Sequence, residues 1–198
     1  MIATTNPGKQ EELRELLKDI PVELITPDDL GLLVEVEETG STYAENAAMK
    51  ADTLCKLTSL PALADDTGLE VDQLGGRPGL HSARFSPLPG ATDSDRRQKL
   101  LAELKGKPAP WTAHFHCTVA VAFPGEQTRL FDGDIFGEIV SEERGNHGFG
   151  YDRVFYISDA GRTLAEIDLA HKNEFSHRAV AVRNAVPFLL EKFGKIPT

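Results

Sequence analysis

The stretch Pro61-Ala62-Leu63-Ala64-Asp65-Asp66-Thr67-Gly68-Leu69-Glu70-Val71-Asp72-Gln73-Leu74 sets two adjacent acids between two short apolar runs. Ala62 to Ala64 reads as a short buried strand and Leu69 to Leu74 as a second. The residues between them are turn formers, since Asp, Thr and Gly all favour tight turns. Two neighbouring carboxylates after a buried strand are costly unless paired, hydrated or metal-bound. Strand ends are also where α/β folds place their sites. A hard cation such as Mg²⁺ prefers one or two carboxylates plus phosphate oxygens and water. The segment therefore marks a candidate site, with an ordinary acidic turn as the plain alternative.

Helices and strands interleave on both sides of this stretch. Upstream, Ile2 to Thr4 reads as the end of a very short strand, and a helix follows with Asn6 as N-cap and Pro7 at the first helical position. Its apolar stripe is Leu13, Leu16, Leu17 and Ile20, at helical spacing. A second helix begins near Thr42, where Thr42 and Glu45 have capping-box spacing. Ala44, Ala47, Ala48, Ala51, Leu54 and Cys55 form its buried face, and their small size predicts close packing on a sheet.

Downstream, Gly75 to Gly79 is a turn and Asp93 to Leu104 a third helix. Trp111 to Phe123 alternates, with Ala113, Phe115, Cys117, Val119, Val121 and Phe123 facing one way. Pro124-Gly125-Glu126 turns it back into Thr128 to Val140 as an antiparallel hairpin. Val154 to Ile157 is a further strand, and the last helix starts at Ser176 and buries Val182, Val186, Leu189, Leu190 and Phe193. Interleaved helices plus hairpins predict an α/β domain with a mixed sheet.

With 198 residues the chain is one ordinary domain, or one domain with two lobes. No apolar run approaches the ~20 residues of a membrane span, and no basic-then-apolar leader is visible, so a cytoplasmic protein is expected. The net charge of -10 disfavours nucleic acid and anionic membranes as partners. It leaves an anionic small molecule open, provided that local lysines, helix N-termini and a divalent cation supply positive charge. Cys55 and Cys117 stand outside any metal-ligand spacing and read as reduced, buried thiols. His114 and His116 share a strand face but lack an evident third ligand, so no metal site is expected there.

Four further segments have chemical potential. Thr4-Thr5-Asn6-Pro7-Gly8-Lys9 joins a strand to a capped helix, where backbone N–H groups and Lys9 favour an anion. Glu35, Glu37 and Glu38 precede the second helix, and Asn46 and Lys50 share one face of it, able to reach the Asp pair. Glycines beside aromatic rings in Gly148-Phe149-Gly150-Tyr151-Asp152 permit close approach of a base or of another backbone. Lys172, with Ser176-His177-Arg178, offers donors to a purine edge or to phosphate. Each also has a structural reading as a cap, a solvated face or a packed loop.

Taken in order, these segments resemble the inosine/xanthosine triphosphate pyrophosphatase family over nearly the whole chain, from Thr4 to Lys9 through Glu38-Thr39-Gly40, Lys50-Ala51, Ala64 to Phe85 and Phe149 to Asp152 to Ser176-His177-Arg178. The resemblance implies a single domain over 1–198, an elongated mixed β-sheet flanked by helices, two lobes with a groove between them, and a homodimer. It implies that Thr4, Thr5, Asn6, Pro7, Gly8 and Lys9 bind the triphosphate, and that Glu38 and Asp66 hold Mg²⁺. Asp66 would also be the general base, and Lys50 would neutralise phosphate charge. Thr67, Phe149, Gly150, Tyr151 and Asp152 would contact substrate, while Lys172, His177 and Arg178 would read or clamp the purine. The family most often has Ser where Thr67 stands; the hydroxyl is retained.

The implied reaction hydrolyses ITP, dITP or XTP to the monophosphate and pyrophosphate, cleansing the nucleotide pool. The alternatives are a pyrophosphatase of related fold for modified pyrimidine or methylated nucleotides, and a non-catalytic nucleotide-binding module.

Overall fold

The structure, a computed structural model, describes residues 1–34 and 36–194; Glu35 lies outside the described residues. In chain order its elements are α1 (Pro7–Leu16), α2 (Tyr43–Thr58), β1 (Ala62–Val71), β2 (Pro78–Gly79), α3 (Asp93–Leu104), β3 (Trp111–Ala122), β4 (Arg129–Ile139), β5 (Phe155–Ile157), β6 (Arg162–Thr163), α4 (Leu169–Phe175) and α5 (His177–Phe193). The strands form one sheet in the order β2-β1-β3-β4-β5-β6. Leu69 faces Gly79, Glu138 faces Tyr156 and Tyr156 faces Thr163 in antiparallel pairs. The short N-terminal strand survives as a single parallel bridge between Ile2 and Leu63. Among the described residues no helix is long and apolar enough to cross a membrane.

The helix starts follow their caps. Asn6 accepts from the Lys9 amide at 3.1 Å, and Thr42 accepts from the Glu45 amide at 3.1 Å. At α3 the box closes in both directions between Thr92 and Asp95. An α4 of seven residues, absent from the sequence reading, precedes the last helix; its N-cap Asp168 accepts from the His171 amide.

The largest departure is at the acidic stretch. Asp65 to Gly68 is not a turn: β1 runs unbroken for ten residues through it, and only beyond Val71 does the chain enter a 3₁₀ turn, where a strand to Leu74 was expected. Turn propensity loses because both carboxylates have cationic partners, which lets charged residues stay in a buried strand.

The chain divides into two compact units, one of Met1–Asp66, Cys117–Gly133 and the residues from His177 onward, the other of Thr67–His116 and Asp134–Ser176. The first unit has two apolar clusters. Leu13 of α1, with Leu17 and Ile20 just beyond its end, packs with Val119 and Val121 of β3 and with Val182 and Leu189 of α5. Ala47, Ala51 and Leu54 of α2 pack on Ala62, Ala64, Ala120 and Ala122. This second layer corrects the simple alternation read into β3: from Cys117 to Ala122 every residue is buried, because helices cover both faces. Close packing has a further witness at Gly133, where a Cβ would lie 2.3 Å from the His177 carbonyl oxygen and 2.4 Å from the Ala181 nitrogen. The second unit is built on one cluster, in which Leu69, Val71, Leu100, Leu104, Phe115, Phe155 and Leu164 are central.

Candidate active site

Successive side chains of a strand point to opposite faces, so Asp65 and Asp66 meet different surroundings within the first unit. Asn46 and Lys50, one turn apart on α2, both reach Asp66. The Asn46 amide donates to Asp66 Oδ2 at 3.2 Å and Lys50 Nζ donates to Oδ1 at 3.1 Å. Lys50 Nζ also donates to Glu38 Oε1 at 2.9 Å and to the Asp65 carbonyl at 2.7 Å. Asn46 is held in turn by the Gly40 amide, which donates to its Oδ1 at 2.8 Å. A Cβ at residue 40 would stand 2.6 Å from that oxygen, so the approach requires glycine.

Asp65 faces the other way. Its Oδ2 accepts from Lys9 Nζ at 2.9 Å, from Arg178 Nη2 at 2.9 Å and from Arg178 Nε at 3.2 Å. The Cys117 thiol lies 4.0 Å from the same oxygen. Arg178, from the first turn of α5, also pairs with Glu12 of α1. The side chains of Asp65, Arg178 and Glu12 are all within 3% of complete burial.

The two acids therefore differ electrically. Burial pushes the Asp65 carboxyl up, but Lys9, Arg178 and Lys50 outweigh it and hold the group well below the usual carboxylate range. At Asp66 burial prevails over Lys50 and Lys9, Glu38 adds its repulsion, and the carboxyl is raised. Lys50 is depressed by burial yet ends above its ordinary value because Asp66, Asp65 and Glu38 surround it. Asp65 is thus a fixed anion holding two cations, whereas Asp66 is a carboxylate that takes a proton more readily than a free one.

Glu38 and Asp66 converge on one ammonium group, and among the described residues no group of three or more acids, histidines or cysteines could cage a metal. Two carboxylates of this kind fit a hard cation that completes its shell with phosphate oxygens and water. Thr4, Thr5, Asn6, Pro7 and Gly8 lie at the start of α1, with the Asn6 amide donating to Thr4 Oγ1 at 3.2 Å and Gln10 holding the Thr4 carbonyl at 2.8 Å.

Arg178 is 1% exposed, and its fork engages Asp65 and Glu12, so in this arrangement it orders the charge cluster. Its neighbour His177 is buried too, at 3%. Glu12 escaped the sequence reading; the available signal was its position four residues before Leu16, a carboxylate continuing the buried stripe of α1.

The remaining expected residues belong to the second unit. Lys172 Nζ donates to Asp152 Oδ2 at 2.6 Å, the Phe149 amide donates to the same oxygen at 3.0 Å, and Lys172 lies over the Phe149 ring, 5.3 Å from its centre. The Tyr151 hydroxyl donates to the Ser82 carbonyl at 2.8 Å, and burial pushes that phenol up. Thr67 is half-buried on β1.

Comparison with known proteins points one way. A dITP/XTP pyrophosphatase of Listeria innocua is 43% identical over 197 residues, covering 99% of this chain and 97% of its own. A dITP/XTP pyrophosphatase of Bacillus subtilis is 43% identical over 186 residues, 92% of each chain. A HAM1 protein from Coxiella burnetii has a structure similar at a TM-score of 0.86 with 39% identity, covering 96% of this chain and 97% of the other. The Staphylococcus aureus Ham1 protein gives 0.85 with 34% identity over the same shares. The profile of the Ham1 family matches residues 1–188, and this chain belongs to that family.

Proposed function

We propose that this chain is a dITP/XTP pyrophosphatase, which also hydrolyses ITP, and that it releases a nucleoside monophosphate and pyrophosphate from each. Support comes from near-full-length relatives of that name at 43% identity and from the charge cluster of the first unit. The observation that carries the chemistry is the contrast between two adjacent acids. Asp66 has a raised carboxyl beside a lysine, while Asp65 is locked to Lys9 and Arg178.

In this reading Asp66 accepts a proton from the attacking water, since a base is most effective when its affinity for protons lies closer to the working pH. Lys9 and Lys50 offset the charge that builds on the departing pyrophosphate. Glu38 and Asp66 are the residues that would hold Mg²⁺, which when bound would neutralise phosphate charge and polarise the bond to be broken. Phe149 and Lys172 are the proposed base-contacting residues of the second unit, supported by a cation held over a ring. The 6-oxygen shared by hypoxanthine and xanthine accepts a hydrogen bond where adenine presents a donor, and an unpaired buried donor costs about 1–3 kcal/mol. The whole of 1–198 acts as one domain in this reading, as a cytoplasmic homodimer that removes deaminated purine nucleotides from the pool.

The test is pyrophosphate release by the purified protein with Mg²⁺ from dITP, XTP and ITP, set against the ordinary nucleotides and against modified pyrimidine and methylated ones. Turnover of the first group is expected, with Asp66→Asn lowering kcat by about 10²- to 10⁴-fold at similar KM. No pyrophosphate from dITP, XTP or ITP sinks the proposal, and preference for the modified pyrimidines redirects it.

A further inference from the structure

The Phe149 loop is held from outside by a helix to which the proposed chemistry gives no part. Gly150 is in the left-handed region, at φ 60. Its peptide groups are gripped from both sides by the first two turns of α3. Its amide donates to Asp93 Oδ2 at 2.7 Å, and its carbonyl accepts from Arg97 Nη1 at 2.7 Å. Arg97 is 6% exposed and its other terminal nitrogen pairs with Glu143 at 3.0 Å. Asp93 is also paired with Arg96, at 2.5 Å. Both contacts to Gly150 are charge-assisted, and together they fix the one residue between Phe149 and Tyr151.

The neighbours of Gly150 are tied on either side, Phe149 by its amide to Asp152 and Tyr151 by its hydroxyl to the Ser82 carbonyl. The Asp152 amide donates at 3.2 Å to the Phe149 carbonyl, on the same peptide unit as the Gly150 N–H, but neither side-chain tie holds the peptide unit of the Gly150 carbonyl. A glycine has two soft dihedrals and no side chain to restrain them. Without a clamp the loop would pay the ordering entropy of that hinge whenever Phe149 had to meet a flat partner. A carboxylate on the N–H and a guanidinium on the C=O remove that freedom in advance.

We infer that Asp93 and Arg97 are positioning residues that set base recognition by pre-ordering Phe149 through the two peptide groups of Gly150. The inference rests on the proposal that Phe149 contacts the base. It assigns α3 a role in specificity, exerted without touching the nucleotide.

The experiment measures KM and kcat for dITP and for dGTP in Asp93→Asn, Arg97→Lys and Phe149→Ala. Inhibition by inorganic tripolyphosphate, which has no base, is measured alongside. Asp93 is 39% exposed on its side chain, so its variant is expected to fold even if Arg97→Lys does not. Asp93→Asn keeps the shape and removes the charge; Arg97→Lys keeps the charge and loses the fork that spans Gly150 and Glu143. Both should raise KM for dITP about tenfold, the loss of one charge-assisted bond. They should also narrow the dITP/dGTP preference, while kcat and the tripolyphosphate inhibition constant stay within about twofold of the parent. A merely structural role would lower kcat through the active fraction and leave KM in place. If Phe149→Ala raises KM while Asp93→Asn does not, the clamp is refuted and the base-contact reading stands. If Phe149→Ala leaves KM unchanged, both are refuted.

Discussion

Lys50–Asp66 in the first unit and Lys172–Asp152 in the second are the same pair of residue types put to different use. Lys50 is shared among three oxygens, on Glu38, Asp65 and Asp66, and the side chains of Lys50 and Asp66 keep 13% and 11% exposure. Lys172 and Asp152 meet at 2.6 Å with 3% and 5% exposure, and Asp152 also restrains the Phe149 amide. A cation spread over several acceptors can be redistributed when new negative charge arrives. A short, dry pair tied to a backbone amide fixes a loop. The difference teaches that partner number and exposure, rather than residue type, set how freely such a pair can rearrange.

The comparison breaks most easily at the hub beside Lys50. Asp65→Asn leaves Lys9 and Arg178 facing a neutral amide in the interior, and a loss of about 3–5 kcal/mol is expected in denaturant unfolding. The pH dependence follows from the direction of its shift. A depressed folded-state carboxyl gives stability that is full above the ordinary Asp value of about 3.9 and is lost as pH falls toward the depressed one. Parent and Asp65→Asn should therefore converge in stability on acidification; a constant gap would contradict the assignment.

The next effect separates the two lysines directly. Lys172→Met strands Asp152 in the interior and should cost about 3–5 kcal/mol. Lys50→Met should cost less, because Glu38 is partly exposed and Asp66 can take up a proton. Equal losses in paired unfolding curves would erase the distinction. The smallest effect is a titration. In the metal-free protein the Asp66 carboxyl, followed by carbon-detected NMR, should titrate above about 3.9. It should move higher still in Lys50→Met, since the lysine is the larger of the influences lowering it. Stability linked to Asp66 alone is lost as pH rises from the ordinary value through the raised one, the opposite sense to Asp65.

Much of this was legible in the sequence because it is local. Asn6 and Thr42 cap where the spacing placed them, Leu13, Leu17 and Ile20 are buried although α1 ends already at Leu16, and Asn46 and Lys50 reach Asp66 from one helix face. What escaped depended on partners distant in the chain. Asp65 to Gly68 looked like a turn, since local propensity cannot see Lys9 and Arg178, 113 residues apart from Asp65 in the latter case. From Cys117 to Ala122 both faces of β3 are covered by helices contributed from elsewhere, so that half of a strand that alternates in sequence is buried on both sides. Nothing local announced the pair of Arg178 with Glu12 either, 166 residues away.

Gly133 has a consequence in terms of heritable change. Every glycine codon lies a single-base change from an alanine codon, so alanine at 133 is among the most accessible variants of this chain. The added methyl would meet the backbone of α5 at 2.3 and 2.4 Å, and backbone cannot swing aside as a flexible side chain can. The helix would have to shift, taking with it Arg178, whose contacts to Asp65 sit one turn from the collision. A conservative mutation on β4, at a residue with no charge and no side chain, thus becomes a mutation of the charge cluster.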